Sequence, residues 1–510
     1  MADHVEIERK YDAESDFVLP DLSDVPGVHA VGEPQTHLLV AKYFDTPDLR
    51  LAARGITLRR RRGGDDAGWH LKMPVGPDTK KELRAPLGRA QVVPARLAGL
   101  VSAHTRGEPL QPVATLETGR TVIRLLGPDG EVLAEVADDA VAGQVIAGAD
   151  GESGGPPSGG TWREIEVELV DGPAALLKAV GKRVRKAGAR KAESASKLGR
   201  VLEPVLARGR EQRPPATGPA QGTAGAALTA YLAAQVDALL AHDPKARLAE
   251  YDAVHKMRVS VRRIRSALKS YRPVLDRSRT DALRPELKWL ADELGAVRDL
   301  EVLRERFTGR LDALPADLAA HQGWLDALRN QETAAYRRLN TALGEPRYFR
   351  LLDALDELLA DPPLTDRADR EAAKELRRLV RQAWRKLQRA YDGIEAAPPE
   401  ERDTARHETR KEAKRARYAA EAAQGVLGKP AATVAANAQA MQDVLGRFQD
   451  GVIAQEHLAR IAADSTDPRE AFTLGALYEI ERAEARSALN DVAATWAKAG
   501  DPAALNALRL

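Results

Sequence analysis

The sequence predicts two halves of different class, an α+β N-terminal domain built on an eight-stranded antiparallel barrel and an all-α C-terminal domain. Three observations predict it. Over residues 1–205, short segments alternate polar and apolar residues with period two and are separated by Gly, Pro and Asp. Past residue 225, Ala, Leu, Arg and Glu dominate and the apolar period lengthens to that of a helix. Between them, residues 208–225 carry Pro and Gly and lack periodicity. The expected division is a barrel domain over 1–207, a linker over 208–221 and a helical domain over 222–505.

Composition narrows the class of function. A chain of 510 residues is too long for one ordinary core. With 44% hydrophobic and 30% charged residues it reads as a soluble globular protein. The formal net charge is only +2, so an anion-binding surface must come from local segregation of charge. The absence of cysteine excludes disulfides and thiolate metal sites and fits a reducing cytoplasm. The N-terminus has no apolar signal core, and no run of 18 apolar residues occurs. Aromatics, at 4%, are too few for a base-stacking surface.

The strand-like segments lie near 4–11, 36–45, 56–62, 67–73, 80–86, 119–126, 131–139 and 161–170. Their polarity is unusual. In the first, Glu6, Glu8 and Lys10 share one face and Val5 and Ile7 the other; in the last, Glu164, Glu166 and Glu168 oppose Ile165, Val167 and Leu169. Leu58-Arg59-Arg60-Arg61, Trp69-His70-Leu71-Lys72 and Arg120-Thr121-Val122-Ile123-Arg124 place cations at alternate positions. In an ordinary sandwich such charges face water. Here acidic strands at the ends of the domain and basic strands between them each back a charged face with an apolar one. If the strands close into a barrel with the charges inward, the lumen holds carboxylates on one wall and Lys/Arg on the other. Helices near 90–104, 173–188 and 194–207 are then free to cover the apolar outside. A polyphosphate bridged to a hard divalent cation, Mg²⁺ or Mn²⁺, satisfies both walls.

Glu6-x-Glu8-x-Lys10 resembles the signature of the CYTH domain, the triphosphate tunnel metalloenzymes. Tyr43-Phe44-Asp45-Thr46-Pro47, Gly55-Ile56-Thr57-Leu58-Arg59-Arg60-Arg61, Trp69-x-Leu71-Lys72 and Ser196-Lys197-Leu198 follow in that family's order. The resemblance covers about 1–205. It implies a tunnel of eight antiparallel strands in which basic residues hold a triphosphate and carboxylates hold catalytic metal, with Glu6, Glu8 and Lys10 as the catalytic core. By the same resemblance Lys10, Arg59, Arg61, Lys72, Arg84, Arg120, Arg124 and Lys197 bind phosphate. Glu6, Glu8, Asp139, Glu164 and Glu166 bind metal, directly or through water. A bulge would exchange Asp138 for Asp139, and the parity of Glu168 leaves Glu166/Glu168 open beside Glu164/Glu166. The Gly-rich stretch 148–160 reads as a loop within the domain.

The helical half carries a duplication. Val254 to Tyr271 contains six Lys/Arg and no acid. His255, Arg258, Arg262, Arg265 and Lys269 fall on one stripe about 21 Å long, with Val254, Val261, Ile264 and Leu268 on another. Such a basic helix is by itself usually a solvated face. His407, Arg410, Lys414, Arg415 and Arg417 repeat the offsets of His255, Arg258, Arg262, Arg263 and Arg265, and each copy is followed by a second signature, Leu294-Gly295-Ala296-Val297-Arg298-Asp299 or Leu445-Gly446-Arg447-Phe448-Gln449-Asp450. Equal order and near-equal spacing indicate an internal duplication and point to anion binding. The paired signatures resemble the CHAD domain over about 220–505. That resemblance implies two pseudo-symmetric four-helix bundles and inorganic polyphosphate bound along His255, Arg258, Arg262, Arg265, Lys269, His407, Arg410, Lys414 and Arg417. Glu408 and Glu412 dilute the second copy.

The expected function is metal-dependent hydrolysis of inorganic triphosphate coupled to polyphosphate binding, in the cytoplasm, in association with polyphosphate granules, without specific nucleic acid or membrane. The rivals are hydrolysis of thiamine or nucleoside triphosphate, cyclisation of ATP, and binding without turnover.

Overall fold

The computed structural model describes residues 3–76, 78–146, 159–211, 218–315, 318–319 and 323–500. Two compact units divide the chain, Met1–Pro215 and Ala216–Leu510. In the first, β1 (Asp3–Ala13), β2 (Ala30–Val31), β3 (Gln35–Asp45), β4 (Thr57–Arg62), β5 (Gly68–Gly76) and β6 (Thr79–Ala85) precede α1 (Ala95–Thr105). Then come β7 (Gln111–Leu126), β8 (Val132–Val145), β9 (Gly159–Leu169), α2 (Ala174–Lys186), β10 (Arg190–Lys191) and α3 (Lys197–Glu211). The order β1-β6-β5-β4-β3-β7-β8-β9 returns to β1 through a β1–β9 ladder, so eight antiparallel strands close a barrel. The two-residue strands β2 and β10 pair outside it, on β7 and β1.

The strand expected at 119–126 begins at Gln111, because β3 pairs with it across the Pro112 and Gly119 that break its pattern in sequence and β8 pairs with it from Ala114 on. Most of the Gly-rich stretch at 148–160 and the middle of the linker at 208–221 lie outside the described residues.

Alternation decides what each face meets. On the outer face, Leu176, Leu177, Val180 and Val184 of α2 pack on Tyr11, Val136, Ile165 and Val167. Each such apolar side chain contributes about 1.5–3 kcal/mol. Gly181 makes that approach possible, since a Cβ there would lie 1.9 Å from the Tyr11 hydroxyl. The helix expected over 194–207 does something other than cover the outside. Leu198, Val201 and Leu202 of α3 pack on Ala41, Tyr43, Leu116, Val141 and Val145, which share the strand parity of the inward Arg120 and Asp139. The helix plugs one end of the barrel. Its apolar residues recur with helical spacing, which shows that one face is buried and says nothing about which side of the sheet buries it.

In the second unit α4 (Ala224–Arg247), α5 (Ala253–Ser270), α6 (Arg277–Thr280), α7 (Leu283–Ala313), α8 (Gly323–Ala342) and α9 (Pro346–Ala360) precede α10 (Ala372–Ala396), α11 (Arg402–Leu427), α12 (Lys429–Asp464) and α13 (Pro468–Ala499). α10 packs on α11, α11 on α12 and α12 on α13; α4 on α5, α5 on α7 and α7 on α8 repeat the sequence, with α6 and α9 added. The halves meet through α4, α5, α10 and α11. Val254, Val261, Ile264 and Leu268 are buried, which turns the basic stripe of α5 outward from the core. Among the described residues one helix, α4, is long and apolar enough to cross a membrane, and its Leu228, Leu232, Val236, Leu239 and Leu240 are buried in this unit.

Candidate functional site

The barrel encloses a cavity of about 290 Å³. Strand register sets opposite charges face to face across its wall. Glu6 opposes Lys80, Lys10 opposes Glu166, Lys72 opposes Glu82, Arg120 opposes Asp139 and Arg124 opposes Glu135. Two like pairs, Glu8 with Glu168 and Asp139 with Glu164, are offset by cations from elsewhere.

The densest acidic point is Asp139, Glu164 and Glu166, whose ligand oxygens lie within 4.8 Å of one another and are buried. Lys197, the first residue of α3, reaches all three at 2.8, 2.7 and 2.7 Å. Arg120 bonds Asp139 at 2.6 and 2.8 Å and Glu166 at 2.6 Å. Although burial opposes it, Lys197 and Arg120 hold the Asp139 carboxyl well below its usual range. These are hard oxygen donors around a cationic centre, and they fit a divalent ion.

Glu6 and Glu8 lie outside that trio. Glu6 accepts from Lys72 at 2.5 Å with Arg84 at 3.9 Å; Glu8 meets Lys80 at 2.7 Å and Lys10 at 3.1 Å. Against burial, Lys10, Lys72 and Lys80 keep the Glu8 carboxyl far below its ordinary range. Lys10 also contacts Glu166, and burial brings its ammonium down to about 7. Burial, then the Glu6 carboxylate, pushes Glu168 up to about 7.

Arg59 and Arg61 each bury an Nε without a partner. Asp66 takes Arg61, and burial followed by Arg59 brings the Arg61 guanidinium down to about 10. Arg84 contacts Glu82, and Arg124 meets Glu135 at 3.0 Å.

In the helical unit, each second signature proves to be the partner of its basic stripe. Arg258 lies against Gly295 and bonds Asp299 at 3.1 Å; Arg410 lies against Gly446 and meets Asp450 at 3.4 Å. A Cβ at Gly446 would come within 3.2 Å of the Arg410 guanidinium, a tight contact, whereas at Gly295 it would lie 3.5 Å from Arg258, an ordinary one. α5 and α11 pack together, and a cavity of about 570 Å³ is lined by Arg262, Arg265, Lys269, Arg284, Lys288, Lys411, Lys414 and Arg415 with Asp281 the acid among them. Among the described residues no carboxylate lies within ion-pair distance of Arg262, Arg265, Lys269 or Lys414. Burial, then Arg410, Arg262 and Arg258, brings Lys414 down to about 8.

The CYTH domain family matches residues 4–201, and the CHAD domain family matches residues 230–459. An uncharacterized protein of Mycobacterium tuberculosis is 39% identical over 498 residues, covering 94% of this chain and 93% of its own. The chain belongs to the CYTH–CHAD proteins. Among solved structures, PptA from Streptomyces chartreusis is 26% identical over 54% of this chain and 99% of its own, with a TM-score of 0.45. The CHAD domain from the plant Ricinus communis is 26% identical over 56% of this chain and 93% of its own, also at 0.45. CYTH proteins act on triphosphates and depend on a metal, and CHAD domains are associated with polyphosphate.

In this CYTH–CHAD protein the tunnel gathers Glu6, Glu8, Lys10, Arg59, Arg61, Lys72, Arg84, Arg120, Arg124, Glu166 and Lys197 around one cavity, with Asp139 and Glu164 bonded to its Lys197. β8 runs without a bulge at Asp139, which faces inward, whereas Asp138 bonds Arg163 on the outside. Glu168 lines the tunnel too, apart from the trio. Lys80, Glu82 and Asp66 also line it and are not among the sequence candidates, and Tyr43, which sequence analysis names only within the family motif, lines it too. The parity of Arg84 was the available signal for Lys80 and Glu82. Asp45 of the family motif is structural: it accepts from the backbone N–H of Thr46, Leu51 and Ala52 at 2.7–2.9 Å and pins the turn after β3.

On the CHAD side Arg262, Arg265, Lys269 and Lys414 share the groove. His407 lies 3.4 Å from Gln449, and burial, then Arg298, lowers the pKa of His255. Arg417 is bonded to Glu421 at 2.6 Å. Arg284, Lys288 and Lys411 join the groove from outside the two stripes.

Proposed function

We propose that the CYTH tunnel hydrolyses inorganic triphosphate with Mg²⁺ or Mn²⁺, and that the CHAD half binds inorganic polyphosphate. The observation that carries this is the pairing, in one barrel, of a three-carboxylate cluster with two lumen arginines, Arg59 and Arg61, whose buried Nε atoms lack acceptors. A phosphate chain supplies those acceptors. A phosphate-only binder gains nothing from the carboxylates, which cost free energy to bury.

Arg59, Arg61, Lys72, Arg84 and Arg124 hold the oxygens of the substrate. Asp139, Glu164 and Glu166 would hold the divalent ion, with Glu6 and Glu8 of the same lumen as the further carboxylates that could support it. Bound there, the ion supplies Lewis-acid polarisation of a phosphoryl oxygen and orients water. Lys197 gives up its place among the three carboxylates and turns to a phosphate oxygen. Phosphoryl transfer asks little covalent chemistry of the chain, so positioning and charge account for most of the rate. On the CHAD side Arg258, Arg262, Arg265, Lys269, Arg410 and Lys414, with His255 and His407 beside them, form the polyanion surface.

Phosphate release is to be measured side by side from tripolyphosphate, long-chain polyphosphate, thiamine triphosphate and ATP, with Mg²⁺, Mn²⁺ or chelator. Tripolyphosphate is expected to turn over fastest. Faster release from ATP or thiamine triphosphate would replace the substrate, and release from none would leave a binding protein.

A further inference from the structure

The duplication relates residues 255 and 407, and carrying its offset to the end of the stripe pairs Lys269 with Glu421. Four cationic or histidine positions repeat and the fifth reverses sign. The structure shows what the reversal does. Lys269 lines the basic groove with Arg415, and no carboxylate pairs with it among the described residues. Burial, then the facing Arg415, keeps the Lys269 ammonium below its usual range. The duplicated counterpart of Arg415 is Arg263, and Arg263 is bonded to Glu421 at 2.9 Å. Glu421 also takes Arg417 at 2.6 Å. One end of the pseudo-symmetric surface thus holds Lys269, which no carboxylate pairs among the described residues, beside Arg415, whose ion pair is with Glu412 of its own helix, and the other end holds a closed Arg–Glu–Arg triad.

We infer that Glu421 closes one end of the polyphosphate groove, so that the chain is gripped from the Lys269–Arg415 end and stops short of Arg263 and Arg417. This rests on the proposed polyphosphate binding. A surface of two equal halves would let a long chain run across both. The charge reversal makes the groove one-ended and sets the length of chain it engages.

The test is binding of long-chain polyphosphate and of tripolyphosphate to the full chain across a salt series, with circular dichroism as the folding control. For a single-stranded polyanion, log affinity falls with log salt by about 0.7 per phosphate neutralised. Glu421→Gln frees two arginines and is expected to steepen the long-chain slope by about 1.4; Glu421→Lys, which restores the first copy's residue, by about 2. Tripolyphosphate, too short to reach the closed end, should show no change. Should these variants misfold, Lys269→Gln is expected to flatten the slope by about 0.7, whereas Arg263→Gln and Arg417→Gln leave it unchanged. An unchanged slope in folded Glu421 variants, or equal losses from Lys269→Gln and Arg417→Gln, would overturn the one-ended groove. Failure of the wild-type chain to bind long-chain polyphosphate at all would instead overturn the proposed function, and this inference with it.

Discussion

Lys197 sits within hydrogen-bonding distance of three buried carboxylates, and its ammonium is the internal counter-ion of Asp139, Glu164 and Glu166. Lys197→Met leaves them short of one cation, and breaking a buried pair costs about 3–5 kcal/mol. The melting temperature should fall, and Mn²⁺ should raise it more in the variant than in the wild type, because an ion that binds the native state stabilises by mass action. A calorimetric melt with and without Mn²⁺ checks this. Lys414 supplies a pH dependence. Its folded pKa is down to about 8 from an ordinary 10.5, so between those values the unfolded chain keeps a proton that the folded chain has shed. Stability of the CHAD unit should therefore rise with pH through that window. Polyphosphate favours the charged form, so its binding near pH 9 should take up protons. Calorimetry in two buffers of different ionisation enthalpy reads that uptake, and Lys414→Arg, which stays charged, should abolish its share. Inward charge was legible in the parity of Glu6, Lys72 and Glu166. Parity alone does not say which side chains touch: the role of Lys197 as a phosphate ligand came from the family resemblance, and its three carboxylate partners, brought from β8 and β9, appeared only in the fold.

At the scale of elements, strand alternation announced the barrel, and the duplicated stripe with its Leu-Gly-x-x-x-Asp companion announced the repeat. Why the companion follows at that distance was not readable: Gly295 and Gly446 lie against Arg258 and Arg410, and Asp299 and Asp450 pair with them, across α5–α7 and α11–α12. The plug is the second element sequence could not place. Its seat depends on Gly143, where a Cβ would come within 2.5 Å of Val201. Gly143→Val should push α3 outward, costing about 1–3 kcal/mol as overpacking does. It should also lower activity through Lys197 without touching a charged residue. Denaturant melts and triphosphate turnover measured on the same variant test both parts, and full activity would mean that the position of α3 does not matter to the tunnel.

At the scale of the whole chain, the two compact units have separate cores and separate charged sites. Residues 1–207 alone should fold and release phosphate from tripolyphosphate, and residues 222–510 alone should bind long-chain polyphosphate with strong salt dependence. The central claim is that the tunnel turns over triphosphate through an ion held at its carboxylates. The most direct measurement is phosphate release from tripolyphosphate by the full chain and by Asp139→Asn and Glu166→Gln, in Mg²⁺, Mn²⁺ or chelator. The account predicts turnover that needs the metal and falls by orders of magnitude in both variants while they stay folded. Turnover undiminished in chelator, or in both variants, would contradict it.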